Sequence, residues 1–376
     1  MKIAIITHVC HIKNENQFFG YAPYIREINI WIKYADEVIV VSPLIESKIS
    51  AIEEPYLHEE IDLLKVPSVD ITSVGNMFRT ISHLPTIFLK VFVAMKQADH
   101  IHLRCPGNMG LIGAMVQILF PKKKKTAKYA GNWDPNSNQP WSYRLQKWIL
   151  SNTFLTKNIK VLVYGEWPNQ TKNIKSFFTA TYTEIEAQNS KFDNPKILPV
   201  QNIIKFIFVG TLSSGKQPLY AVKIIEKLYL SGINVCLDLY GEGVLRKELE
   251  QYIEANSLQE LVCLKGNQSK DNIEKVYRES HFLILASKSE GWPKVVAEAM
   301  FWGCVPLVTP VSCVSYMIDN GNRGLLLLEE LDQDVKKVNE IIENDFKYKM
   351  MSNNGMNWSR QFTIDKFEEE IKKLLR

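Results

Sequence analysis

No run of about 18 apolar residues occurs anywhere in this 376-residue chain, so nothing in it reads as a membrane span. The opening "MKIAIITHVCHIKNE" is apolar for too few residues to be a signal peptide. Among six cysteines (Cys10, Cys105, Cys236, Cys263, Cys304 and Cys313) there is no CxxC pair, and most sit inside apolar runs such as "NVCLDLYG". A zinc site and a disulfide framework are therefore not expected, and buried free thiols of a reducing, cytoplasmic compartment are. Charge of one sign is lacking too. Lys+Arg 45 against Asp+Glu 41 leaves +4, which points to no nucleic-acid partner. His8, His11, His83, His100 and His102 show no metal-ligand spacing, and the only low-complexity tract is the four lysines at 122–125.

What is present is a repeated alternation. With 46% hydrophobic residues the chain can fill a core in each of two domains. "KIAIIT" and "KFIFVG" are short β-branched runs suited to buried parallel strands, and each leads through a loop into an amphipathic helical pattern, "APYIREINIWIKYA" and "QPLYAVKIIEKLYLSG". The strands "EVIVVSP", "HIHLR", "TAKYAG" and "KVLVYG" follow in the first half, and "NVCLDLYG", "LVCLKG", "FLILAS" and "VPLVTP" in the second. The pattern predicts an α/β protein of two Rossmann-like, doubly wound domains. The expected division is 1–188, a linker at 189–203, 204–345, and a helical segment 346–376 docking back on the N-terminal domain.

In open parallel sheets the ligand lies beyond the carboxyl ends of the strands. There the second half carries "GTLSSGK", "GEGVLRK", "KGNQSKDN" and "SKSEGWPK". Gly210 to Lys216 has the spacing of a phosphate-binding P-loop, but Gln217 stands where a Ser or Thr would hold magnesium. Downstream, Pro293 suits the first position of a helix reaching to about Trp302, with Gly303 just past its end. The free N–H groups of that helix, near Glu290, Gly291 and Trp292, would bind an anion such as diphosphate. Glu290 precedes the helix and Glu298 lies on its second turn, 298 − 290 = 8 apart.

This E-x7-E, set in strand, "SEG", helix with "EAM", Gly, Pro and strand, resembles the signature of family 4 of the retaining, nucleotide-sugar-dependent glycosyltransferases with the GT-B fold. The resemblance covers most of 204–328; the N-terminal half shares only the strand and helix pattern and Gly20 of its first loop. It implies two domains facing a cleft, with the donor held mainly by 204–328 and the acceptor by the N-terminal domain. It implies Glu298 on the ribose hydroxyls, Glu290 beside the transferred sugar, and Lys216 on the diphosphate. Lys265, Gly266 and Asn267 would lie against the base, Gly20 would let the backbone approach the donor, and Gly210, Thr211, Glu242, Gly291, Trp292 and Pro293 would line the site. Thr211 stands where the family usually has an arginine, so Lys216 and the helix N-terminus suffice or Arg323 or Arg104 fills in.

The resemblance thus implies sugar transfer from a nucleoside diphosphate to a glycan or lipid-linked acceptor, in cell-surface polysaccharide or glycoconjugate synthesis. Retention at the anomeric carbon by front-face displacement is expected, with Glu290 and Lys216 as the catalytic pair. No cofactor and no metal are expected: "DQD" (Asp332 to Asp334) precedes a helical pattern and reads as a cap. "KKKK" reads as a solvated loop, with peripheral contact to the inner membrane face as the sharper alternative. "FRTISHLPTIFLKVFVAMKQA" reads as a buried helix interrupted by Pro85, and Trp133, Trp141 and Trp167 read equally as sugar platforms or packed loop residues. A nucleotide-sugar epimerase or phosphorylase would use the same fold. A dinucleotide oxidoreductase would need a GxGxxG that "THVCHIKNENQFFG" lacks.

Overall fold

The computed structural model describes residues 1–50, 52–68, 74–189, 196–199 and 202–376, with backbone alone for 74–81. The described residues fall into two compact units, 1–178 with 367–376, and 179–366. Residues 179–188 and 346–366 thus lie in the second unit, and the segment read as a linker falls largely outside the described residues.

The first unit holds β1 (Lys2–Ile6), β2 (His11–Asn14), β3 (Gln17–Tyr21), β4 (Glu37–Ile45), β5 (Glu53–Pro55), β6 (Ile61–Val66), β7 (His100–Cys105), β8 (Lys124–Tyr129), β9 (Ile159–Tyr164) and β10 (Ile174–Phe177). Their order is β10-β9-β8-β7-β1-β4-β2-β3-β5, with β6 also beside β4. Strands β1, β4, β7, β8, β9 and β10 are parallel, and β1 has β4 on one side and β7 on the other. The stretch after β1 is not a plain loop. It folds as the antiparallel hairpin β2–β3, turned at Glu15 with φ 50°. Gly20 therefore sits within β3 rather than in a loop, and a Cβ there would come within 3.0 Å of Ile25 Cδ1.

Pro85 lies inside a continuous helix, Val74–Gln97, rather than interrupting it. Burial of Ile87, Val91, Ala94 and Met95 against the sheet outweighs the one backbone bond a proline forfeits. The lysine run is not a solvated loop either. Lys124 and Lys125 open β8, and Lys125, 2% exposed, donates to Phe120 O at 2.8 Å and Gln117 O at 3.3 Å. Lys123 donates to Lys96 O at 2.6 Å, so only Lys122 and Lys124 of the four are exposed. Trp133 and Trp167 are tied inward, through Gln170 Oε1 at 2.9 Å and Tyr164 O at 2.8 Å, whereas Trp141 is exposed. Cys105, Cys304 and Cys313 are buried as expected, but Cys10 is exposed and Cys236 and Cys263 are half-buried.

The second unit holds β11 (Ile204–Val209), β12 (Val235–Tyr240), β13 (Val262–Gly266), β14 (Phe282–Leu285), β15 (Val305–Val308) and β16 (Leu325–Leu326), all parallel, in the order β13-β12-β11-β14-β15-β16. Phe206, Ile207, Phe208, Leu237, Leu239, Leu283, Ile284 and Leu307 are at most 1% exposed, the two-face burial that their apolar runs require. The strand order reverses between β11 and β14. Such a reversal opens a crevice at the carboxyl ends of the two strands, the place where a ligand binds in this kind of sheet.

Candidate active site at the β11–β14 reversal

Two loops flank the reversal, 210–217 after β11 and 286–293 after β14. They are bonded to each other: Lys288 N donates to Gly215 O at 2.9 Å, and Gln217 Nε2 donates to Ala286 O at 2.8 Å and to Glu329 Oε1 at 2.6 Å. Gln217 is left-handed, φ 50°, and caps the helix Pro218–Leu230. Where a P-loop would carry a magnesium hydroxyl, this chain carries an amide that ties the two loops together. At the tip, Lys216 Nζ meets Glu290 Oε1 at 2.5 Å, with the side chains 29% and 8% exposed. The two residues expected to be catalytic are therefore brought together as an ion pair.

The helix that follows is Lys294–Phe301, with Pro293 as its N-cap and no side-chain cap bond. Its N-terminus is the positive end of the helix dipole, directly after the loop that carries Glu290. Gly291 O accepts from Cys313 Sγ at 3.0 Å, which fixes the turn before the helix. Trp292 is 7% exposed and stacks on Trp358 at 5.9 Å, with its edge toward Phe362. Its ring belongs to the aromatic core, and the residue also lines the crevice that holds Glu298.

A cavity of 240 Å³ opens beside the first loop, lined by Gly210, Thr211, Glu242, Asn267 and Ile273 among others. Glycines set its shape. A Cβ on Gly241, φ 137°, would lie 2.0 Å from Gly210 O, and one on Gly243 would lie 2.3 Å from Leu212 O. The backbones approach that closely because Gly210 N donates to Tyr240 O at 2.9 Å and Leu212 N to Glu242 O at 3.0 Å. Gly266 has φ 67°, and a Cβ there would meet Glu242 Oε1 at 3.0 Å, while Lys265 turns away to Asp238 at 3.4 Å.

Glu298 is held apart from that cavity. Its Oε1 accepts from Thr181 Oγ1 at 2.7 Å and its Oε2 from Tyr277 OH at 3.4 Å, in a crevice of 10 Å³, room for about one water. Burial and then the Glu298 charge raise the Tyr277 phenol well above its ordinary pKa, so it stays a donor. The helix Lys270–Glu279 links the two places: Ile273 lines the cavity, and Tyr277, one turn on, reaches Glu298.

Arg323 does not stand in for the missing arginine at Thr211. It donates to Met317 O at 3.1 Å and Tyr316 O at 3.3 Å, and lies 5.1 Å from the Trp358 ring. Glu242, which lines the Thr211 cavity, is paired with Arg246, whose Nη1 lies 2.5 Å from Glu242 Oε1 and whose Nε lies 2.8 Å from Glu250 Oε1. Asp334 is fully buried and accepts from Tyr220 OH at 2.6 Å and the Leu328 N–H at 2.8 Å, and Asp332 pairs with Lys227. These carboxylates brace the start of the helix Leu331–Ile342. Sequence reasoning missed Thr181, Tyr277 and Arg246. Only Arg246 carries a local signal, an i,i+4 spacing from Glu242.

Residues 189–358 match the family model "Glycosyl transferases group 1". An uncharacterized glycosyltransferase of Methanocaldococcus jannaschii is 29% identical over 39% of this chain and 41% of its own length. A Campylobacter jejuni N-acetyl-D-galactosaminyltransferase, named for a PP-undecaprenol-linked GalNAc acceptor, is 27% identical over 45% of this chain and 47% of its own. The chain thus spans about half the length of these curated relatives. In structure, Anabaena HepE in complex with UDP and glucose superposes with a TM-score of 0.69 over 100% of this chain and 99% of its own at 15% identity. WaaG, a glycosyltransferase involved in lipopolysaccharide biosynthesis, reaches 0.61 over 98% of both chains at 13% identity. Among the described residues no helix is long and apolar enough to cross a membrane. The chain has the GT-B fold, and its residues 189–358 match the glycosyl transferases group 1.

Proposed function

We propose that this protein is a retaining, metal-independent glycosyltransferase that moves a sugar from a nucleoside diphosphate sugar to a glycan or lipid-linked acceptor in the synthesis of a cell-surface polysaccharide or glycoconjugate. The observation that carries the reading is the pairing of Lys216 with Glu290 just before the N-terminus of the helix Lys294–Phe301. Charge grows on the diphosphate as the anomeric bond breaks, and a lysine with a helix N-terminus is preorganised to meet it. As Lys216 turns to the phosphates, Glu290 is released to accept hydrogen bonds from the sugar. Glu298 takes the ribose diol. Among the described residues no second carboxylate is bonded to the Lys216–Glu290 pair, and Glu298 is engaged by Thr181 and Tyr277, which favours front-face displacement, with the leaving phosphate taking the acceptor proton. The UDP and glucose bound by HepE and the lipid-linked acceptor in the name of the Campylobacter relative support this donor and acceptor class.

A thermal-shift series with UDP, GDP and ADP sugars tests the reading. One of them is expected to raise the Tm of the wild-type chain, and Glu298→Ala to abolish most of that rise. No shift with any donor would overturn the reading. The contact of Thr181 with Glu298 adds a second expectation. A ribose hydroxyl must displace that bond, so Thr181→Val is expected to tighten nucleotide binding by about 2- to 10-fold, the worth of one hydrogen bond. Titration calorimetry with the nucleotide reads it, and weaker binding would show that Thr181 contacts the donor itself.

A further inference from the structure

The first unit has its own reversal of strand order. β1 lies between β4 and β7, and the chain runs outward from β1 to β4 on one side and from β7 to β8 on the other. The crevice beyond the carboxyl ends of β1 and β7 is therefore the default ligand position of this sheet, as β11 and β14 are in the other.

Arg104, next to last in β7, reaches that crevice. Its Nη1 donates to Glu27 Oε1 at 3.1 Å, and its guanidinium lies 5.6 Å from the Tyr24 ring. Glu27 is shared, because Lys128 Nζ bridges to its other oxygen at 2.9 Å. One carboxylate so serves two cations. Glu27 and Lys128 are 5% and 1% exposed, whereas Arg104 keeps 16% of its side chain open. An arginine recruited only to satisfy the core would turn its fork onto carbonyls or a carboxylate. Among the described residues this one donates a single side-chain hydrogen bond, from Nη1, and spends none of its other N–H groups on another side chain.

His8 stands on the same edge, two residues past β1. Its Nδ1 lies so close to Gly107, which follows β7, that a Cβ there would come within 2.9 Å. Desolvation and then the charge of Arg104 lower the His8 pKa, so the imidazole is a neutral partner beside a cation. Gly107, φ 143°, keeps the space over the imidazole free of a side chain.

We propose that Arg104, with His8 beside it, forms an oxyanion subsite of the first unit that holds a phosphoryl group of the acceptor. The assignment of that group to an acceptor rests on the glycosyltransferase reading above; the subsite itself does not. The arginine fork supplies two parallel N–H donors to the phosphoryl oxygens, and the half-shared Glu27 leaves net positive charge to hold them.

The test uses the full chain, saturated with UDP so that donor phosphate positions are occupied, with sn-glycerol 3-phosphate as the probe, followed by titration calorimetry. Wild type is expected to bind it and not glycerol. Arg104→Gln is expected to weaken it about 10-fold or more with UDP affinity unchanged, and Arg104→Lys to fall between. Inorganic phosphate binding with the same Arg104 dependence would support the subsite as a reader of the oxyanion alone. Equal binding of the probe by wild type and Arg104→Gln, or equal binding of glycerol, would overturn the proposal. So would a parallel loss of UDP affinity, since Arg104 would then serve the donor. Arg104→Lys guards against a folding defect, because it keeps the charge beside Glu27. If UDP does not bind wild type, the glycosyltransferase reading fails, and the glycerol 3-phosphate titration without UDP still reads Arg104.

Discussion

Lys216→Ala is expected to lower kcat with the sugar nucleotide that binds by about 10²- to 10³-fold, the usual loss when one preorganised donor to a developing charge is removed. KM should change far less, because the lysine is proposed to meet the diphosphate most strongly as the bond to the sugar breaks. The single variant has a second consequence. It strands Glu290, 8% exposed, without its cation, and an uncompensated carboxylate at that depth destabilises the loop. The double variant Lys216→Ala with Glu290→Gln separates the two effects: the Tm should recover while turnover stays low. A kcat within about 3-fold of wild type in Lys216→Ala would mean that the helix N-terminus alone stabilises the leaving group.

Gly241→Ala should be the most damaging single-methyl substitution in the second unit. Its Cβ would fall 2.0 Å from Gly210 O, and φ 137° is a conformation that alanine rarely adopts. Relief requires the loop after β11 to move away from β12, breaking the Gly210 N to Tyr240 O bond of 2.9 Å. Overpacking, strain and a lost hydrogen bond together are expected to cost about 3 kcal/mol or more, with loss of donor binding. Gly215→Ala is the control. Nothing lies within 4 Å of its added Cβ, so its stability should stay within about 0.5 kcal/mol of wild type. Denaturant melts of the two variants read the difference directly, and equal midpoints would show that the loop yields freely.

The parallel strands were legible because burial on both faces demands unbroken β-branched runs, and "KFIFV", "FLIL" and "VPLV" are such runs. The hairpin β2–β3 escaped because "HIKN" and "QFFGY" are short, mixed in polarity, and joined by Glu15 in a left-handed turn that usually signals Gly or Asn. β16 is two residues long and has no pattern to read. Lys216 and Glu290 were visible because their loops follow strands at recognisable spacings. Their bond to each other was not, for it joins residues 74 apart in sequence. Thr181 reaches Glu298 from 117 residues away, and no local rule marks a lone threonine for that task. Gln217 was legible only as an absence; its clamp between two loops needed three dimensions.

Thr181 has a consequence for how the site empties. Its hydroxyl occupies the acceptor atom of Glu298 that a ribose hydroxyl is proposed to take, from a chain position that never leaves. The empty site thus carries its own tethered competitor, at a local concentration that no dilution changes. On the proposed donor reading, departure of the spent nucleotide would be an exchange of one hydroxyl for another rather than the exposure of a bare carboxylate. Turnover would gain a built-in push toward release, at the expense of some affinity for the incoming donor.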